Sequence, residues 1–123
     1  MMKLLLVDDD AFLRDMYAIK FTEAGYQVAV ADGPMAALLE IKQHQDFDIV
    51  LLDMIMPGMS GTELIKAIKE QFPESKAKCI VLSNQGQDED IHEAKDAGAV
   101  GYIIKAEAIP SDVVKKVEQL FNK

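Results

Sequence analysis

Five residues in this sequence have types and positions that could do chemistry together: the acidic pair Asp8-Asp9, the acid Asp53, Ser83 and Lys105. Each follows a short apolar run. Leu4-Leu5-Leu6-Val7 precedes the pair, Ile49-Val50-Leu51-Leu52 precedes Asp53, Ile80-Val81-Leu82 precedes Ser83, and Tyr102-Ile103-Ile104 precedes Lys105. Such runs read as strands buried on both faces, as in a parallel sheet. In an open α/β sheet, ligands bind outside the carboxyl ends of the strands. Three carboxylates gathered there repel, and each raises the others' pKa unless a cation offsets them. A hard divalent cation with oxygen ligands answers that, and Mg2+ typically takes one or two carboxylates and keeps several waters. Lys105 adds a positive point charge and Ser83 a hydroxyl. The set suits phosphoryl transfer, where catalysis is mostly positioning and charge neutralisation. A carboxylate can itself be the nucleophile, giving an aspartyl phosphate.

The rest of the chain must place these residues at one edge. The strand at 4–7 leads into a helix N-capped by Asp10, with Leu13, Met16, Tyr17, Phe21 and Ala24 at helical spacing and a stop at Gly25. Residues 28–31 read as a weaker strand at the sheet edge. Asp32-Gly33-Pro34 opens a second helix, with Ala37, Leu38 and Ile41 inward. After Asp53, Pro57, Gly58 and Gly61 make a loop, and Ser60-Gly61-Thr62-Glu63 is a capping box for a third helix. That helix buries Leu64, Ile65, Ile68 and Phe72 and stops at Pro73. Residues 80–82 form the fourth strand. The helix over 88–97 offers only Ile91, Ala94 and Ala97 to a core, so it is expected to pack weakly and shift easily. Residues 100–104 form the fifth strand. A last helix starts near Pro110 and buries Val113 or Val114, Val117, Leu120 and Phe121. Five βα units with right-handed crossovers predict an α/β fold, a doubly wound five-stranded parallel sheet covered on both faces.

Bulk properties narrow the function. A length of 123 residues suits one domain over 1–123. The net charge of −8, from 13 basic and 21 acidic residues, argues against direct binding to nucleic acid. It favours cations or partners with basic surfaces. Cys79 is alone, which excludes a disulfide framework and a cysteine-based zinc site, and its apolar surroundings read as core. No apolar run approaches the ~20 residues of a membrane span, and the first residues are too short for a signal peptide. A cytoplasmic location with no membrane partner is expected. Singly, each site residue has a plainer reading. Acids favour helix N-termini, serine ends strands as a turn former, and a lone lysine is a solvated charge. Glu89, Asp90, Glu93 and Asp96 read as a solvated helix face. His44 and His92 have no partner at metal spacing. The joint placement at strand ends outweighs these readings.

At this point the sequence resembles, from end to end, a receiver domain of the two-component response regulators. Leu5-Leu6-Val7-Asp8-Asp9 resembles the family's acidic pair. Val50-Leu51-Leu52-Asp53-Met54-Ile55-Met56-Pro57-Gly58-Met59-Ser60-Gly61 resembles the phosphoacceptor strand and loop and is the most specific match. Ser83, Tyr102 and Lys105 take the hydroxyl, switch-aromatic and lysine positions. The resemblance implies the flavodoxin-like strand order 2-1-3-4-5. It implies a phosphorylation-activated switch, not a conventional turnover enzyme. Asp53 would accept a phosphoryl group from a phosphohistidine on a sensor histidine kinase or phosphotransfer protein. Asp9, Asp53 and the Ile55 carbonyl would bind Mg2+, with Asp8 assisting through water. Lys105 and the backbone amides of Met54 and Asn84 would hold phosphoryl oxygens. Ser83 would turn towards the phosphoryl group and Tyr102 swing inward. A downstream output domain or protein, or a phosphorylation-dependent dimer, would read the change.

One departure stands out. The family usually has proline after the lysine, joined by a cis bond, and here Ala106 follows Lys105. A cis bond before a non-proline residue costs roughly 3–4 kcal/mol, so a trans bond and a rearranged loop over 105–109 are expected. Two other functions compete. A haloacid-dehalogenase-like phosphatase would use Asp8 and Asp10, a serine near Ser83 and a lysine, but its later acid pair is missing, the chain is short for it, and Asp53 goes unexplained. A non-phosphorylated module on the same fold would not need the intact acids, Ser83 and Lys105.

The residue two after the phosphoacceptor, Ile55, should lie beside the path of the water that hydrolyses the phosphoryl group. It can neither accept a proton nor orient water, whereas Gln85, two after Ser83, can orient water but is a poor base. Slow decay is therefore expected. Ile55→Asn or Ile55→Glu should speed loss of phosphorylated mass after the donor is removed, and Ile55→Leu should leave it nearly unchanged.

Overall fold

The computed structural model describes residues 2–122. In chain order the elements are β1 (Lys3–Val7), α1 (Ala11–Glu23), β2 (Gln27–Ala31), α2 (Pro34–Gln43), β3 (Ile49–Leu52), α3 (Gly61–Gln71), β4 (Lys78–Ser83), α4 (Asp88–Ala97), β5 (Gly101–Ile104) and α5 (Pro110–Phe121). The strands form one parallel sheet in the order β2-β1-β3-β4-β5.

Successive strand residues point to opposite faces, and both faces are buried. Leu5, Val7, Val50, Leu52, Cys79 and Val81 pack with α2, α3 and α4. Leu4, Leu6, Ile49, Leu51, Ile80 and Leu82 pack with α1 and α5. This explains why the strands read as unbroken apolar runs rather than alternating ones. Burial pushes the Cys79 thiol up to about 11, in keeping with a core role.

Helix starts follow local chemistry. The Asp10 carboxylate accepts from the Leu13 amide at 3.1 Å and caps α1. In α3 the capping box is complete: Ser60 Oγ accepts from the Glu63 amide at 3.1 Å, and the Ser60 amide donates to Glu63 at 3.0 Å. Pro34 and Pro110 occupy first turns, where no amide donor is needed.

Several expectations are refined. Ala24 is exposed, because it is the C-cap just past the end of α1, where the chain turns at Gly25, whose φ is +96°. β5 begins at Gly101, not Val100. The register opens with Ile80 opposite Gly101, and Val100 is exposed on the way out of the turn at Gly98. Phe72, Leu120 and Phe121 are half-buried, lying at the C-terminal ends of their helices. Val113 and Val114 are both buried. α4 buries only Ala94 and Ala97, with Ile91 half-buried. No peptide bond among the described residues is cis, and Lys105–Glu107 form a single 3-10 turn. No described helix is long and apolar enough to cross a membrane.

Gly61 is held by close approach. A Cβ there would lie 2.5 Å from the Asp53 carbonyl oxygen and 2.9 Å from Met54 Cα. Its amide also donates to the Met54 carbonyl at 2.8 Å. Gly61→Ala must push backbone apart at the end of β3, and we expect it to cost about 1–3 kcal/mol, read as a lower urea midpoint with an unchanged slope.

Candidate functional site

The sheet register assembles the site. Val7 pairs with Leu52, so Asp8 and Asp53 are the next residue on neighbouring strands. Leu52 pairs with Val81, which puts Ser83 at the same edge. Ser83 pairs with Ile104, which makes Lys105 the next residue on the last strand. Residues up to 97 positions apart in sequence thus meet at the carboxyl ends of the strands.

Lys105 is the hub. Its Nζ donates to Asp8 Oδ2 at 2.8 Å and to Asp53 Oδ2 at 3.0 Å. All three side chains are largely buried, with 8%, 3% and 14% of their surface exposed for Lys105, Asp8 and Asp53. Burial alone would lower the lysine pKa; the two hydrogen bonds and the two carboxylate charges outweigh it and hold the ammonium above its ordinary 10.5. Because the folded value is raised, the stabilising contribution is complete below about pH 10.5 and is lost only as pH climbs through the raised value.

The other carboxylate oxygens are also used. Asp8 Oδ1 accepts from the Asp10 amide at 3.0 Å, and Asp53 Oδ1 from the Ile55 amide at 3.3 Å. Asp9 is exposed. Ligand oxygens of Asp8, Asp9 and Asp53 all lie within 4.8 Å of one another. Three carboxylates outnumber the single ammonium that bridges two of them, and all offer hard oxygen donors. This arrangement fits a hard divalent cation such as Mg2+.

Ser83 is buried, and its Oγ accepts from the Gln85 amide at 3.2 Å. The Tyr102 hydroxyl donates to the Gln85 carbonyl. Burial first, with help from the Asp90 and Asp53 charges, pushes the Tyr102 phenol up to about 12 against a smaller opposing effect of Ser83. A hydrogen-bonded chain therefore runs from Ser83 through Gln85 to Tyr102.

The acids Asp8, Asp9 and Asp53, together with Ile55, Ser83, Asn84 and Lys105, line one open depression with Asp10, Leu13 and Gln85. Met54 and Tyr102 do not line it: the Met54 side chain is buried in the core, and Tyr102 lies half-buried beside it. Ile55 is 62% exposed at the rim. Asp10, the second acid of the phosphatase reading, has its carboxylate engaged in capping α1. One residue went unnoticed in sequence. Arg14 Nη1 donates to the Asp8 main-chain carbonyl at 2.9 Å. A signal existed, since Arg14 is the chain's single arginine and stands one turn into the helix behind the acids.

The sequence matches the response regulator receiver domain family over residues 4–118. This chain belongs to that family. It is 40% identical over 119 residues to the chemotaxis protein CheY of Thermotoga maritima, covering 96% of each chain. It is 34% identical to sporulation initiation phosphotransferase F of Bacillus subtilis, covering 93% of this chain and 91% of that one. The structure of chemotaxis protein CheY4 of Vibrio cholerae superposes with a TM-score of 0.87 at 30% identity, over 98% of both chains. The chain also spans about half the length (52%) of phosphate regulon PhoB proteins. The receiver family is one of signalling switches. This receiver shares its five-stranded parallel sheet in the order 2-1-3-4-5 with those relatives.

Removing the hub of this receiver should be costly. Lys105→Met leaves the buried Asp8 charge without its partner, and we expect a loss of about 3 kcal/mol in metal-free buffer at pH 7. Urea denaturation measures it. Saturating Mg2+ should recover part of the loss by neutralising the same carboxylates, and an unchanged midpoint with and without the metal would contradict the charge argument.

Proposed function

We propose that residues 1–123 act as one receiver in which Asp53 is the phosphoacceptor. The observation that carries this reading is the Lys105 ammonium bridging Asp8 and Asp53 beside Asp9, in a family of phosphorylated response regulators. The phosphodonor is a phosphohistidine on a sensor histidine kinase or phosphotransfer protein. An Asp53 carboxylate oxygen attacks phosphorus, an O–P bond forms, and the P–N bond to the histidine breaks. Lys105, within hydrogen-bond distance of Asp53, holds a phosphoryl oxygen as charge builds. The backbone amides of Met54 and Asn84 supply further donors. The carboxylates of Asp8, Asp9 and Asp53, with the Ile55 carbonyl, would hold Mg2+, which when bound supplies positive charge against the phosphoryl oxygens.

Ser83 and Tyr102 carry the signal outward. The hydrogen bonds linking Ser83, Gln85 and Tyr102 support this relay. A phosphoryl group adds about −1.5 to −2 charge and strong acceptors. Ser83 turning its hydroxyl to it would disturb the Gln85 amide and, through the Gln85 carbonyl, Tyr102. The sparsely packed α4 follows directly after this loop. A downstream output domain or protein, or a second phosphorylated copy, reads the altered face, and the receiver works in the cytoplasm.

Incubation with Mg2+ and acetyl phosphate followed by intact-mass measurement should show one added phosphate. Asp53→Asn should not gain it. Equal labelling of the asparagine variant would overturn the assignment.

A further inference from the structure

Among the described residues, Asp9 is the one member of the acid cluster that no side chain holds. Asp8 is gripped at both carboxylate oxygens, by the Asp10 amide and Lys105, and Asp53 by the Ile55 amide and Lys105. No described residue donates to the exposed Asp9 carboxylate. Where its side chain can reach is therefore set first by the backbone that carries its Cα–Cβ bond. The peptide unit entering Asp9 carries the Asp8 carbonyl, which lies beyond the last paired position of β1, Val7. That oxygen accepts from Arg14 Nη1 at 2.9 Å. Arg14 is half-buried, and its own amide donates to the Asp10 carbonyl at 2.9 Å within α1. A guanidinium is planar, with donors in fixed directions, so this bond constrains the plane of the Asp8–Asp9 peptide.

We infer that Arg14 is a positioning residue for the metal site: by holding the Asp8 carbonyl it aims the Asp9 carboxylate into the cluster. The inference rests on the reading that Asp8, Asp9 and Asp53 hold Mg2+. Groups outside the ligand set that orient ligands matter by about 10–100-fold in metal affinity. The charge of Arg14 acts in the opposite sense, because a cation near the site repels a second cation. Orientation and charge thus give opposite signs for a neutralising substitution, which makes the role decidable.

The test is calorimetric titration of the full chain with Mg2+ alone, alongside the metal-free thermal midpoint. Arg14→Gln should weaken Mg2+ binding about tenfold. Arg14→Lys, which keeps the charge but not the planar fork, should weaken it several-fold, and it carries the test if the glutamine variant does not fold. Asp9→Asn should also weaken binding, and in that background Arg14→Gln should add less than about twofold, because two residues acting through one ligand are not additive. Unchanged or tighter binding in Arg14→Gln overturns the inference, as does parent-like affinity in Arg14→Lys or a full tenfold effect that persists without Asp9. A lowered metal-free midpoint with parent-like affinity also overturns it, since Arg14 would then serve the fold alone. If Asp9→Asn weakens binding and the Arg14 variants do not, only the Arg14 role fails; if the parent binds no Mg2+, the metal-site reading fails with it.

Discussion

The ion pair that joins Lys105 to Asp8 and Asp53 constrains everything around it. Two carboxylates this deeply buried repel, and neither is tolerated without a compensating charge. The ammonium comes from Lys105, directly after β5, which lies two strands from β3. At about 4.8 Å per strand that is roughly 10 Å of sheet to cross, so a long side chain is required. The strand between them, β4, ends in Ser83, which is buried and lines the same depression. A lysine at the sheet edge thus reaches both carboxylates at the ends of inner strands.

Burial on both faces makes that arrangement rigid. The apolar strands are packed by three helices on one side and two on the other, so the strand ends have little freedom to relax. The loops beyond them carry the acid cluster and its neighbours, and several contacts tie them down. Gly61 lets α3 approach the Asp53 carbonyl, the Ser60–Glu63 box fixes where α3 begins, and Arg14 holds the carbonyl between the paired acids. The contrast is α4, which buries two alanines and little else. A helix with so few apolar contacts opens at low free energy, and it adjoins the Ser83–Gln85–Tyr102 chain. The fold is therefore tightly packed around the charged cluster and sparsely packed at α4.

Much of this was legible in the residues. The apolar runs, the caps at Asp10 and Ser60, the proline starts and the glycine stops are local chemistry, and they located all ten elements to within a few residues. Errors fell at ends. Val100 looked like strand, but the turn at Gly98 delays pairing until Gly101, and Ala24 kept helical spacing one residue past the last turn. Replacing the expected proline by Ala106 correctly implied a trans bond, but the single 3-10 turn that follows was not written in any local signal.

The sequence by itself determined which residues could do the chemistry, because acids, serine and lysine at the ends of buried strands are an unusual arrangement that their immediate neighbours already specify. It also determined the class of fold, because doubly apolar strands alternating with capped helices leave few alternatives. What only the tertiary structure decided is which oxygen faces which donor. That Lys105 bridges Asp8 and Asp53 while no described residue holds Asp9, that Tyr102 bonds the Gln85 carbonyl, and that Arg14 reaches back to the Asp8 carbonyl all depend on strand register and on side chains crossing between elements. Spacing along one element says which face a residue occupies, but a hydrogen bond between elements is set to tenths of an ångström by the packing of the whole sheet.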